Sequence, residues 1–391
     1  MEMHKPHVLH LIDGLTFGGA ETLLRDLAAG LEKRGYRVTV GYSTPGPFVE
    51  ELANKGLTLK RIPRLAMIDP IFLLRMVRLM RLDPPQIVHT HLFKSDFHGR
   101  LAARLAGVPV VVSTLHNNDS WAKNGTLGRI YGATARFADR LIAVSPEVRE
   151  YHLNKTGVPA NKIMVIENGV DVAAFFGHDV AAKAIRAEFG IASTAPLFGI
   201  VGRLKPQKDL PTFLLAVVEI LRQQPDARFL VVGDGPLQEE LESQAKDLGL
   251  FPALTFTGMR KDISAIMTAL DVLVLSSLWE GLPVILLEAM AAARPVVSTA
   301  VDGVRSVVIP DESAILVDTG SSSALAQACV RLARDPALRL KMGRVGLKRV
   351  SEFYSLDVMI DRISNLYTGL LRDRGLEKYV PAALGETGVL K

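Results

Sequence analysis

"VLVLSSLWEGLPVILLEAMAAARPVVST" (Val272–Thr299) reads as a strand, a loop, a short apolar helix and a second strand. Val272–Ser277 and Pro295–Thr299 are short runs of strand formers, with a helical segment over Val284–Ala293 between them. A strand, helix and strand of this length build a parallel sheet. Two acids interrupt the pattern. Glu280 stands before Gly281, Leu282 and Pro283, the helix entry, with Pro283 expected in the first turn. Glu288 falls in the middle of the apolar segment, where an unpaired carboxylate costs on the order of several kcal/mol. Helical side chains lean toward the N-terminus, so Glu288 is expected to aim back at the strand end that carries Glu280. The free N–H groups at the helix mouth suit an anion. Two acceptors flanking phosphate donors suit a sugar and a ribose at either side of a diphosphate. The competing reading of Glu288 is a carboxylate satisfied by nearby backbone or arginine.

Outward from this unit, strand-like and helix-like segments alternate along the 391 residues. A first series runs His7–Ile12, Arg37–Ser43, Gln86–His91, Val108–His116, Arg140–Ser145 and Lys162–Gly169. A second runs Leu197–Arg203, Arg228–Gly235, Leu254–Gly258, Val272–Ser277 and Pro295–Thr299, with a strandless connector over Gly169–Pro196. The expected architecture is α/β: two Rossmann-like, doubly wound parallel-sheet domains, 1–170 and 171–355, facing across a cleft. Ligands of such sheets lie beyond the carboxyl ends of the strands. Residues 356–374 form a long amphipathic helix that either caps the second domain or reaches back to the first. Residues 375–391, with their Gly and Pro, are expected to be a loose tail.

Composition excludes several classes. Hydrophobic residues make up 48% and charged ones 22%, which is a globular balance, although the mean hydropathy of +0.22 is somewhat high. No apolar run reaches the roughly 18 residues of a membrane helix. The opening apolar run is short and ends at Asp13, unlike a signal peptide. A single cysteine, Cys329, excludes a disulfide framework. The expectation is a cytoplasmic protein. The net charge of +5 is uneven: residues 1–170 hold 22 Lys/Arg against 15 Asp/Glu. A basic first half suits an anionic surface or substrate, or is a solvated surface.

Other motifs fall at strand ends. Gly18 and Gly19 precede a helix and make either an anion site or an ordinary turn; the pattern is not GxGxxG. Arg203 and Lys208 in "VGRLKPQKD" are two cations at a strand end, a phosphate grip or simply surface charge. His116 ends "VVVSTLH". His89 and His91 share a strand face, but no third ligand at metal-binding spacing accompanies them, and no DxD pair is present.

Together these residues resemble the retaining nucleotide-sugar glycosyltransferases of the GT-B fold, in particular glycosyltransferase family 4. The likeness rests on E-x7-E in "EGLPVILLEA", on "GGAE" (Gly18–Glu21), "GRLKPQKD", "VVGDGP" (Val231–Pro236), "TFTG" (Thr255–Gly258) and "ENGVD" (Glu167–Asp171), in that family's order and spacing up to about Arg374. The resemblance implies a C-terminal helix crossing back to the first domain. It assigns the donor diphosphate to Arg203 and Lys208, with N–H groups around Gly19 and Gly281–Pro283. Glu288 would hold the ribose, Glu280 the transferred sugar, and His116 would face that sugar. The base would rest near Gly258, Met259 and Arg260. The implied donor is a nucleotide-diphosphate sugar, in the first instance a UDP-sugar, with no cofactor or metal. The basic-apolar stretch Lys60–Pro85, with Lys60, Arg61, Arg64, Arg75, Arg78 and Arg81, either lies on an anionic membrane or packs on the sheet with snorkelling arginines. The expected acceptor is thus a hydroxyl of a sugar, a small molecule or a lipid-linked cell-envelope polysaccharide precursor, with the protein peripheral on the inner membrane face. No nucleic acid is expected. The competing functions are a nucleotide-sugar 2-epimerase of the same fold and a non-catalytic nucleotide-sugar binder.

Overall fold

Parallel pairing forces the chain to cross the whole sheet between neighbouring strands, and helices make those crossings. The computed structural model describes residues 5–65, 69–118 and 125–381. The first sheet contains β1 (His7–Gly14), β2 (Arg37–Thr44), β3 (Thr58–Arg61), β4 (Ile87–His91), β5 (Val110–Leu115), β6 (Arg140–Ala143) and β7 (Ile163–Val165). Its order is β3-β2-β1-β4-β5-β6-β7. The second contains β8 (Leu197–Val201), β9 (Arg228–Val232), β10 (Leu254–Gly258), β11 (Val272–Leu275), β12 (Val296–Thr299) and β13 (Ala314–Val317), in the order β10-β9-β8-β11-β12-β13. Each sheet therefore starts at its centre, winds to one edge and then restarts on the other side. The reversal points lie between β1 and β4 and between β8 and β11, where doubly wound sheets bind ligands.

Two units result. One runs to Gly169 and resumes at Leu356; the other spans Val170–Ser355. Each has its own core, the first around Val8, Ile12, Leu24, Val40 and Val112, the second around Phe198, Phe213, Phe229 and Val274. Central strands are apolar on both faces because helices cover both.

The Leu356–Asp373 helix belongs to the first unit, which settles the choice left open by its sequence. Its stripe of Met359, Ile360, Ile363, Tyr367, Leu370 and Leu371 is buried in that core. Tyr36 and Ser364 share a hydroxyl–hydroxyl bond of 2.8 Å. The Tyr367 hydroxyl meets His89 Nδ1 of β4 at 2.6 Å. Arg34 pairs with Asp357 and Asp361, and Arg362 with Glu167. A Cβ at Gly30 would meet Ile360 Cδ1, so the Gly19–Lys33 helix and the C-terminal helix touch closely at this glycine.

Several expectations change. β3 and β13 were not foreseen: each has four residues, and β3 is an edge strand that leaves Thr58, Lys60 and Arg61 exposed. Lys60 and Arg61 thus lie on a strand, while the basic helix is Pro70–Leu82; residues 66–68 lie outside the described residues. Pro283 is the N-cap of the Val284–Ala291 helix rather than part of its first turn. The expected loose tail begins with an ordered segment: Leu376, Tyr379 and Val380 pack against the first core, and 382–391 lie outside the described residues.

Ile360→Ala should destabilise the first unit by about 2–4 kcal/mol through the cavity it leaves, whereas Tyr367→Phe should cost about 1 kcal/mol. Urea unfolding followed by hydrogen exchange of first-unit amides measures both.

Candidate functional site

In the second unit, β8 ends at Val201 and the chain turns through Gly202, whose φ of 150° is a backbone state side chains rarely adopt. Gly233, after β9, has a φ of 130°, and a Cβ there would collide with the Gly202 carbonyl oxygen. Two strand-end loops are thus packed backbone against backbone, with Leu204 N–H donating to the Asp234 carbonyl at 2.7 Å. That contact is the physical reason for glycine in "VGR" and "VVGDGP".

The Pro206–Lys208 turn then carries Lys208 back over Gly202 and toward β11. Lys208 Nζ lies 2.5 Å from Glu280 Oε1, which also accepts from Ser277 Oγ at 2.7 Å. Gln207 Nε2 donates to Glu280 Oε2 at 3.3 Å and to the Trp279 carbonyl at 2.8 Å. Ser276 Oγ donates to the Lys208 carbonyl, and Leu278 N–H to the Gln207 carbonyl. Glu280 is 6% exposed. The loops after β8 and β11 are therefore stitched together at the reversal point of the sheet. Glu280 holds Lys208, so the two residues expected at the sugar and at the diphosphate are joined in one ion pair. An ammonium has three donors, so two of those on Lys208 have no partner among the described residues.

Arg203 is exposed and makes no side-chain hydrogen bond or ion pair among the described residues. It lines a shallow hollow with Gly202, Leu204 and Lys208. Gly281, Leu282 and Pro283 are buried before the Val284–Ala291 helix, and the Gly303 backbone packs on the Gly281 carbonyl. Glu288 is half-buried on that helix. Gly258 ends β10 with a φ of 65°, and Met259 beside it is exposed. Arg260 is spoken for: its guanidinium pairs with Glu188 at 2.5 Å and with Asp262 at 2.7 Å, and these carboxylates raise its pKa further. Only the backbone and Met259 remain there for a base.

In the first unit, Gly18 caps and Gly19 begins the Gly19–Lys33 helix without a side-chain cap. The Glu21 carboxylate lies against Gly18 and accepts from Thr16 Oγ1 at 3.2 Å, so an anion at this mouth would meet a like charge. His116 follows β5 and lines a second shallow hollow with Phe93, Asp96, Thr114, Tyr131 and His152. Beneath it is a buried network that sequence reading missed. Asp96 accepts from Thr90 and Tyr131 hydroxyls at 2.5 Å each, and Arg100 lies 3.3 Å from it and donates to Tyr131 and Ser113. Burial raises the Asp96 pKa, with Arg100 opposing. The one available signal was the i,i+4 spacing of Asp96 and Arg100 in the Phe93–Ala106 helix.

The third histidine near His89 and His91 is His10 of β1, and one ring nitrogen from each of the three lies within 4.8 Å of the others. Spacing along one strand could not reveal it, because it comes from the neighbouring strand. Five of the six nitrogens already hold hydrogen bonds.

Two Rossmann-like units in one chain, each gathering its polar side chains where its parallel sheet reverses, make up the GT-B architecture of sugar-transferring enzymes. Residues 195–335 match the family described as Glycosyl transferases group 1, and residues 17–174 match Glycosyltransferase Family 4. The Escherichia coli UDP-Gal:alpha-D-GlcNAc-diphosphoundecaprenol alpha-1,3-galactosyltransferase is 32% identical over 307 residues, 76% of this chain and 79% of that protein. The putative glycosyltransferase EpsF of Bacillus subtilis is 31% identical, over 75% and 79% respectively. Anabaena HepE, solved with UDP and glucose, superposes with a TM-score of 0.84 at 22% identity, covering 93% of this chain and all of that one. The chain belongs to glycosyltransferase family 4 and is a glycosyltransferase.

Burial lowers the pKa of His10 to about 3 and that of His116 to about 4. The unfolded chain takes up protons near pH 6.5 while these folded rings remain neutral. Stability is therefore complete above pH 6.5 and falls as the pH drops toward the folded values. Each ring should contribute up to about 1.4 kcal/mol per pH unit to that loss. Urea midpoints of the first unit between pH 6.5 and 5, above most carboxylate titration, should fall accordingly.

Proposed function

We propose that the chain is a retaining transferase that moves a sugar from a nucleotide-diphosphate sugar, in the first instance a UDP-sugar, to a hydroxyl acceptor. The observation that carries this reading is the Lys208–Glu280 pair at the reversal point between β8 and β11. Breaking the anomeric C–O bond leaves negative charge on the diphosphate. Lys208 is already fixed, and two of its donors are uncommitted among the described residues; Arg203 adds a mobile bidentate cation. Donors set before the charge develops need no reorganisation in the transition state. These cations do the work assigned elsewhere to a metal, and no metal or cofactor is assigned. Glu280 fixes Lys208 and, through Oε2, accepts from a hydroxyl of the transferred sugar. Glu288 takes the ribose hydroxyls, and the backbone at Gly258 and Met259 meets the base. The acceptor proton passes to the leaving phosphate, so no general base is nominated. A UDP donor is supported by the name of the E. coli relative and by the UDP bound in HepE.

The acceptor we favour is lipid-linked, a cell-envelope polysaccharide precursor met at the inner membrane face by a cytoplasmic, peripheral protein. The Pro70–Leu82 helix buries Phe72, Met76, Val77 and Met80 and leaves Ile71, Leu74 and Leu82 exposed beside Arg75, Arg78 and Arg81. Leu65 and Leu105 extend this apolar, basic face. Arg75 and Arg81 are tethered to the Pro63 and Leu105 carbonyls, which spares part of the entropy of ordering them on a lipid surface. Among the described residues no helix is long and apolar enough to cross a membrane.

In a nucleotide panel read by melting temperature, UDP should raise Tm most, since a ligand stabilises by mass action. Glu280→Ala should lower sugar transfer by about 100-fold or more; transfer unchanged in that variant would overturn its role. Flotation with vesicles containing anionic lipid should carry the protein up at low salt, and Leu74→Ser with Arg78→Glu should abolish it. Absence of wild-type binding removes the membrane reading.

A further inference from the structure

A row of three histidines runs through the first sheet and ends at the His116 hollow. His10 Nδ1 lies 3.0 Å from His91 Nε2, and His91 Nδ1 lies 3.1 Å from His116 Nε2. His91 lies opposite Ile12 of β1 and Thr114 of β5, so His10 and His116 each reach it diagonally, from two residues before Ile12 and two residues after Thr114. His10 and His91 are fully buried, and burial keeps all three rings neutral. A neutral imidazole carries one N–H and one lone pair, so fixing one ring fixes all three. In one arrangement His10 donates to His91 and His91 donates to His116. In the reverse, every proton moves one place, and His10 Nε2 must carry a hydrogen.

That atom decides between them. His10 Nε2 is buried without a hydrogen-bond partner among the described residues. The first arrangement leaves a lone pair there; the second leaves an N–H. A buried unpaired N–H is the rarer and costlier defect. We propose that His10 and His91 are positioning residues that hold His116 as its Nδ1–H tautomer, making its free edge a hydrogen-bond donor toward a ligand oxygen and never a proton acceptor. The ligand half of this statement rests on the transferase reading, in which the oxygen is a sugar hydroxyl. A metal among His10, His89 and His91 is the rival occupant, and it would have to displace hydrogen bonds that occupy five of the six nitrogens. His89 stands outside the row, held between Tyr367 and Thr114 hydroxyls.

The test is long-range ¹H–¹⁵N correlation of the full chain, labelled at histidine nitrogen and without ligand at pH 7.5. His116 should be Nδ1-protonated by about tenfold or more over the other form. His10→Leu, which removes the first donor, should bring that ratio to about threefold or less. Leu9→Ala, a core change on the opposite face of β1, should leave it unchanged. Nε2-protonated His116, a ratio unmoved by His10→Leu, or one zinc per chain retained through dialysis would each overturn the proposal. If the variant fails to fold, the wild-type spectrum still decides the tautomer. Because the spectra are taken on the free protein, they do not depend on transfer. Should His116 prove Nδ1-protonated while no nucleotide raises Tm, the proposed function fails and the tautomer assignment stands.

Discussion

A parallel strand can join its neighbour only after the chain has crossed the sheet, and that constraint shapes both units. Each sheet begins in the middle and fills one side before the other. Where the direction of winding reverses, the two flanking loops part, and backbone N–H and side chains at strand ends are left facing outward. Lys208 and Glu280 come from the loops on either side of one such point, after β8 and β11. His91 and His116 end neighbouring strands beside the other.

Electrostatics at the second point follow from burial. Glu280 is almost wholly shielded from water, and a charge so placed persists only with partners. It has three, from Lys208, Ser277 and Gln207. The same pairing keeps an ammonium in a fixed place beside the open Arg203, so that one cation is preorganised and the other adaptable. Arg260 differs in that the carboxylates of Asp262 and Glu188 take four of its five guanidinium donors.

The first unit joins its polar interior to its C-terminal helix. Tyr367 reaches from that helix to His89, whose ring lies 4.3 Å from that of His91. His10, His89 and His91 thus gather at the middle of the sheet, with Tyr367 of the helix on one side and His116 on the other. The hydrogen bonds from His10 to His91 and from His91 to His116 lie directly behind the ring that lines the hollow.

The sequence by itself determined the succession of βα units, both reversal-point motifs and the family likeness, because strand and helix periodicity and strand-end glycines are local properties. It did not disclose β3 or β13, each of which closes one edge of its sheet and draws its pairing from one neighbour only. Tertiary structure alone decided which charges meet. Lys208 and Glu280 are 72 positions apart, and His10 and His91 are 81 apart; their contact depends on strand order, which no local pattern encodes. The same holds for Leu356–Asp373: its apolar stripe required burial, but only the close approach at Gly30 and the partners Tyr36 and His89 determined which core received it.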